Sequence, residues 1–257
     1  MNLLIPASSP KSLAGISRTA ATAAALAALA AATAAAAILA GAAPLAAEEL
    51  SGRVALLAKD GKGPARGADP LQAVVYFEPE GGAHAPRAAK GPETAYQLLT
   101  KRKEFVPHVL AVPVGSRVQF PNEDPILHNV FSVSPGNAFD LGIYRVGPPK
   151  EKRFEQPGVV RVYCNVHQAM AAYVLVLDTS FFASPGADGS FRLTGLPRGP
   201  GKLTVWHEQA DPWSEEVTLP LPAGAPPVQA RLLVVRPKLL PHLNKTGESY
   251  IRGDSYR

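Results

Sequence analysis

Two apolar, β-branched runs, Val159-Val160-Arg161-Val162-Tyr163 and Ala172-Tyr173-Val174-Leu175-Val176-Leu177, flank the short stretch Cys164-Asn165-Val166-His167-Gln168-Ala169-Met170. Runs of this composition form strands, so the stretch between them is a tight loop at one end of a sheet. Two residues separate Cys164 from His167, and two more separate His167 from Met170. A thiol, an imidazole and a thioether are thereby brought back to one point before the next strand starts. A fourth donor, His128, lies upstream in Leu127-His128-Asn129-Val130, just after the turn Pro121-Asn122-Glu123-Asp124-Pro125. One donor from one loop and three from another describe a site at the end of a β-sandwich.

The rest of the chain agrees with an all-β fold. Its 257 residues include 26 prolines and 22 glycines, and they break the sequence into short alternating segments. The first part is not fold. Lys11 and Arg18 precede an alanine-dominated apolar run from about Thr19 to Ala43, followed by Pro44-Leu45-Ala46-Ala47 and Glu48-Glu49. Basic, then apolar, then small residues is the order of an export signal, here residues 1–47, with cleavage near Ala47. An uncleaved membrane anchor is the alternative, because the run is long enough to span. Export predicts a periplasmic location. It also changes the meaning of Cys164, the single cysteine. In an oxidising compartment an unpaired cysteine is an intermolecular link, a reactive thiol or a ligand.

Removing Lys11 and Arg18 with the leader leaves 24 basic against 21 acidic side chains, a balance of +3. The charge is mild and dispersed, which argues against a nucleic-acid partner. Two strands are predicted in 48–82, around Leu50–Ala58 and Ala73–Phe77. The segment 80–94 is a linker by its glycines and prolines. A strand series then fills 94–178, and a second fills 183–236. Residues 237–257 show little periodicity and are expected to form a flexible tail.

The ligand types have a physical logic. Thiolate and thioether favour cuprous ion, imidazole suits both oxidation states, and His₂Cys with a weak axial Met is a compromise between them. Zinc seldom takes a thioether, so Met170 favours copper. Taken singly, Cys164 and Met170 are also what a buried core would contain. The remaining histidines, His84, His108, His207 and His242, are scattered, and structural roles are expected for them. No Ser-His-Asp order, carboxylate pair or phosphate-cradling glycine loop stands out, so no enzyme activity is expected.

The stretches Phe105-Val106-Pro107-His108-Val109, Val118-Gln119-Phe120-Pro121-Asn122, His128-Asn129-Val130, Pro157-Gly158 and Tyr163-Cys164-x-x-His167-x-x-Met170 resemble the cupredoxin (blue, type-1 copper) family. The Cys-x-x-His-x-x-Met spacing is of the amicyanin type. Plastocyanin is related, with a longer gap before its methionine. The chain also looks like exported proteins labelled methylamine-utilisation-like. The resemblance covers about 94–178 and implies a Greek-key β-sandwich. It implies one copper ion held by His128, Cys164, His167 and Met170. It gives Asn129 the task of tying the two ligand loops together and donating a backbone N–H to the sulfur. It makes His167 the partly exposed ligand through which electrons leave. One departure stands out: Val166 occupies the place where amicyanin and plastocyanin carry a proline, which alters hydrogen bonding near the thiolate.

A second resemblance rests on Gly189-x-Phe191-x-Leu193-x-x-Leu196-Pro197-x-Gly199 and Leu203-x-Val205, which look like the carboxypeptidase-regulatory or transthyretin-like sandwich. Its opening strands are expected at 50–77, so the copper unit would be inserted into it. The alternative is a plain tandem of two units. The expected function is single-electron transport between redox proteins, with a c-type cytochrome or a dehydrogenase as the partners the resemblance suggests. A membrane partner arises only if the leader stays uncleaved. Copper handling without electron shuttling, and a glycan-binding or adhesion module, are the alternatives.

Overall fold

The computed structural model describes residues 47–81, 96–236 and 242–250. The leader expected at 1–47 therefore lies outside the described residues, Ala47 excepted, as does most of the linker. The fold class is all-β.

Two sandwiches share the described chain. One is built from β1 (Glu48–Leu57), β2 (Val74–Pro79), β13 (Phe182–Ala183), β14 (Ser190–Leu196), β15 (Gly199–Trp206), β16 (Trp213–Leu219) and β17 (Val228–Leu233). Its sheets run in the orders β14-β1-β17 and β13-β2-β15-β16. The other lies between β2 and β13 in sequence: β3 (Tyr96–Gln97), β4 (Leu99–Lys101), β5 (Glu104–Val106), β6 (Val109–Pro113), β7 (Arg117–Phe120), β8 (His128–Ser132), β9 (Phe139–Tyr144), β10 (Lys150–Arg153), β11 (Gly158–Tyr163) and β12 (Ala171–Leu177). Its main sheet has the order β6-β12-β11-β8-β9, and β10-β7-β3 and the hairpin β4-β5 complete it.

The ladder across β2 and β13 closes the first sandwich over the intervening strands. Phe182 pairs with Tyr76 and Ala183 with Val75. Phe77 N donates to Phe181 O at 2.9 Å, and Thr179 Oγ1 donates to Phe77 O at 2.8 Å. Chain entry and exit of the inner sandwich therefore lie side by side, the geometry that tolerates insertion. Gly52 and Gly201 show why small residues were needed in the outer sandwich. A Cβ on Gly52 would lie 2.5 Å from Val228 O, and one on Gly201 would lie 2.3 Å from the Phe77 ring.

β12 explains how the two units join. Its residues alternate between two cores, as period-2 geometry requires. Ala172, Val174 and Val176 enter the inner core with Phe120, Phe154 and Val162. Tyr173, Leu175 and Leu177 face the other way and pack with Val74 and Trp206 of the outer sandwich. The continuous apolar run Ala171–Leu177 suits a strand with both faces buried.

Polar groups also cross this seam. His108 Nε2 lies 3.0 Å from Glu208 Oε1, and the Glu208 side chain is 1% exposed. Tyr173 stands edge-on to the His108 ring at 5.7 Å. Burial, then the Glu208 charge, push the Tyr173 hydroxyl up to about 12. His207 is fully buried, and burial holds its imidazole below the ordinary value against the opposing pull of Glu208.

Two outcomes follow from this packing. Leu175→Ala opens a cavity in the shared seam and should lower unfolding free energy by about 3 kcal/mol. Val159→Thr, on the exposed side of β11, should change it by less than about 0.5 kcal/mol; urea denaturation measures both. For His207, the unfolded chain takes up a proton near pH 6.5 that the folded chain refuses, so stability falls as pH drops below about 6.5. In His207→Gln that slope should flatten, as read from urea midpoints between pH 7.5 and 5.

Candidate metal centre

The site forms where β8, β9 and the β11–β12 loop meet. β11 and β12 pair from Gly158↔Val176 to Tyr163↔Ala171, and Tyr163 pairs with Phe131 on β8. This antiparallel register directs the chain past Tyr163 toward the start of β8, where His128 stands opposite Tyr144. The loop then closes on itself: Cys164 N donates to Met170 O at 3.2 Å, and Met170 N donates to His167 O at 3.0 Å.

Three of the four expected ligands converge. Cys164 Sγ lies 3.8 Å from His128 Nδ1 and 3.7 Å from His167 Nδ1. The two Nδ1 atoms are 3.2 Å apart. These are the residues among those described whose donor atoms could jointly hold a metal ion. Cys164 and His128 are fully buried, while His167 is half-buried. Met170 is 1% exposed and packs in the same core cluster as Cys164.

The separations can be tested against a metal. An ion about 2.0 Å from nitrogen and about 2.3 Å from sulfur in a trigonal plane sets N–N near ~3.5 Å and N–S near ~3.7 Å; a tetrahedral angle shortens both slightly. The observed separations of 3.2, 3.7 and 3.8 Å lie within about 0.1 Å of those limits. The residues present fit a single ion of the copper or zinc class.

The support of His128 is charged. Its Nε2 donates to Asp124 Oδ2 at 2.9 Å, which fixes the tautomer and turns the Nδ1 lone pair toward Cys164. Asp124 is itself held by the β4–β5 hairpin tip. It accepts from Arg102 N and from Lys103 N at 2.6 and 2.8 Å. Both of those residues have positive φ, 56° and 61°. That tight turn aims two consecutive N–H groups at one carboxylate. Burial pushes the Asp124 carboxyl up, but these N–H groups and His128 outweigh it and hold it below the ordinary range. Burial also lowers the imidazoles of His128 and His167. Both are then neutral donors, the form a metal needs.

Asn129 does not tie the ligand loops as expected. It is fully buried, and its Nδ2 donates to Asp140 Oδ1 on β9 at 2.6 Å. Its Oδ1 has no partner among the described residues. The expected tie comes from elsewhere: residues 242–250 lie against the Cys164 loop, with Lys245 N donating to Asn165 Oδ1 at 2.9 Å. His167 Nε2 is also shielded and without a hydrogen-bond partner among the described residues. The residue as a whole remains partly exposed, as expected.

Asp124 was legible only as part of a turn. The signal that singles it out is an acid four residues before a candidate ligand. Of the other histidines, His108 and His207 belong to the seam, His242 lies at the rim beside Tyr163 and Gln168, and His84 lies outside the described residues.

No family profile and no curated protein matches the chain. Solved structures that resemble part of it are cupredoxins. One is a purple cupredoxin from Nitrosopumilus maritimus, at 26% identity over 32% of this chain and 99% of that one, with a TM-score of 0.29. Another is oxidised amicyanin with a methionine-to-leucine change, at 20% identity over 34% of this chain and 87% of that one, TM-score 0.31. A third is an oxidised proline-to-alanine amicyanin mutant, at 20% identity over 41% and 99%, TM-score 0.32.

Asp124→Ala removes the acceptor that orients His128. Metal affinity of the full chain should fall about 10- to 100-fold, read by competition with a chromophoric chelator, while Asp124→Glu should recover part of the loss.

Proposed function

We propose that this protein is an exported blue-copper electron carrier, with one copper ion held by His128, Cys164, His167 and Met170. The single observation that carries the reading is the triangle of one sulfur and two imidazole nitrogens at 3.8, 3.7 and 3.2 Å, with Met170 in the same apolar core cluster as Cys164. When bound, copper would supply a reversible one-electron couple.

The chain's own residues supply rigidity and shielding. Asp124 holds the His128 ring in one orientation. The Cys164–Met170 backbone bond keeps the loop closed. Phe120, Phe154 and Val162 surround the donors with apolar core. A site that changes shape little between oxidation states moves an electron with little reorganisation. One electron would enter from a reduced partner and leave to an oxidised one, by way of the half-buried His167 ring. A dehydrogenase and a c-type cytochrome in the periplasm are partners of suitable chemistry. The outer sandwich would serve as a docking or spacing unit, and no catalytic role is assigned.

The test is a visible and electron-paramagnetic spectrum of the mature protein with cupric ion. Intense sulfur-to-copper absorption that bleaches with ascorbate and returns on oxidation is expected, and Cys164→Ser should abolish it. Colourless protein that takes up only cuprous ion would replace this reading with copper handling.

A further inference from the structure

The segment 242–250, expected to hang free, makes a set of contacts confined to the rim of the candidate centre. It builds its own turn: Asn244 N donates to Glu248 O at 2.8 Å, and Asn244 Oδ1 accepts from Thr246 N and Glu248 N at 3.0 and 2.9 Å. Gly247, at φ 82°, makes that turn possible.

From this turn, groups reach the ligand loop at successive positions. Tyr250 Oη donates to Cys164 O at 3.0 Å. Lys245 N donates to Asn165 Oδ1 at 2.9 Å. His242 Nε2 lies 3.0 Å from Gln168 O. The His242 ring stacks on Tyr163 at 4.0 Å, 19° from parallel, and Tyr250 stands edge-on to His242 at 5.3 Å. On the other side, Lys245 Nζ donates to Asp140 Oδ2 at 2.7 Å. That same carboxylate takes the Asn129 amide, and Asn129 follows His128 in the chain.

We propose that His242, Lys245 and Tyr250 are positioning residues: they form a strap that clamps the Cys164–Gln168 loop to β9 and fixes Cys164 relative to His128. The role as ligand positioning rests on the metal-centre reading above. The clamp itself does not, because its contacts are to backbone and to Asn165, Tyr163 and Asp140. Two features argue against incidental packing. The contacts fall on Tyr163, Cys164, Asn165 and Gln168, the residues around two of the expected ligands. Lys245 also joins the Cys164 loop to the strand beside His128, the bridge that Asn129 does not make.

The experiment uses the full mature chain with His242→Ala and Tyr250→Phe combined, and Tyr250→Phe alone, which removes one oxygen. Without metal, two quantities are measured in native buffer: amide exchange across 163–170 and the alkylation rate of the Cys164 thiol by iodoacetamide. The double variant should label about tenfold faster, with exchange rising in the loop alone. Its urea midpoint should stay near that of the parent. His242→Phe, which keeps the ring stack, should recover part of the protection. With cupric ion added, the double variant should show changed relative intensities of its sulfur-to-copper bands. Unchanged labelling and unchanged loop exchange in both variants would overturn the strap. Faster labelling in a protein that takes up no copper would keep the strap and remove the electron-carrier reading.

Discussion

Burial of β12 on both faces is the constraint from which the rest of this structure follows. Ala172, Val174 and Val176 close the inner core, and Tyr173, Leu175 and Leu177 close the seam with the outer sandwich. A strand so committed cannot slip register, since a one-residue shift would exchange the two faces. Its start is thereby fixed, and with it the loop from Cys164 to Met170. The pairing of β11 with β8 then brings His128 to that loop. The outer sandwich acts on the site through the same strand, by holding the back of the sheet whose end carries the donors.

The site is supported mainly by polar groups outside the donor set. Asp124 collects Arg102 N, Lys103 N and His128 Nε2. Asp140 collects Asn129 Nδ2, Gly142 N and Lys245 Nζ. Burial alone would raise both carboxyls; their donors hold both below the ordinary range. Each carboxylate thus links segments far apart in sequence, one on either side of His128. The arrangement resembles the outer hydrogen bonding that orients metal-bound imidazoles generally.

Much of this was legible in the sequence, for identifiable reasons. The all-β class was readable because Ala171–Leu177, Ser190–Leu196 and Gly199–Trp206 keep strand patterning over their full length. The convergence of His128, Cys164 and His167 was readable because two of these residues share one loop with fixed spacing. The supports were not. The partner of Asn129 lies eleven residues away across a hairpin, and nothing in the chain order distinguishes Asp140 from Asn165 as that partner. Asp124 reads as one more turn residue until the β4–β5 hairpin is folded over it. Residues 242–250 show no strand period; their order comes from Asn244 and from groups meeting a loop about eighty residues upstream. Patterning reports elements that bury a face, and it is silent on a strap held by single polar contacts.

Electron transfer as proposed requires that His128, Cys164 and His167 share one ion. Anomalous scattering at the copper edge, from crystals of the full mature chain grown with cupric ion, addresses that directly. A single strong peak within bonding distance of Cys164 Sγ and both Nδ1 atoms, with the Met170 sulfur beyond it, is the predicted result. A peak seated elsewhere, such as between His108 and Glu208, with the Cys164 thiol left bare, would contradict it.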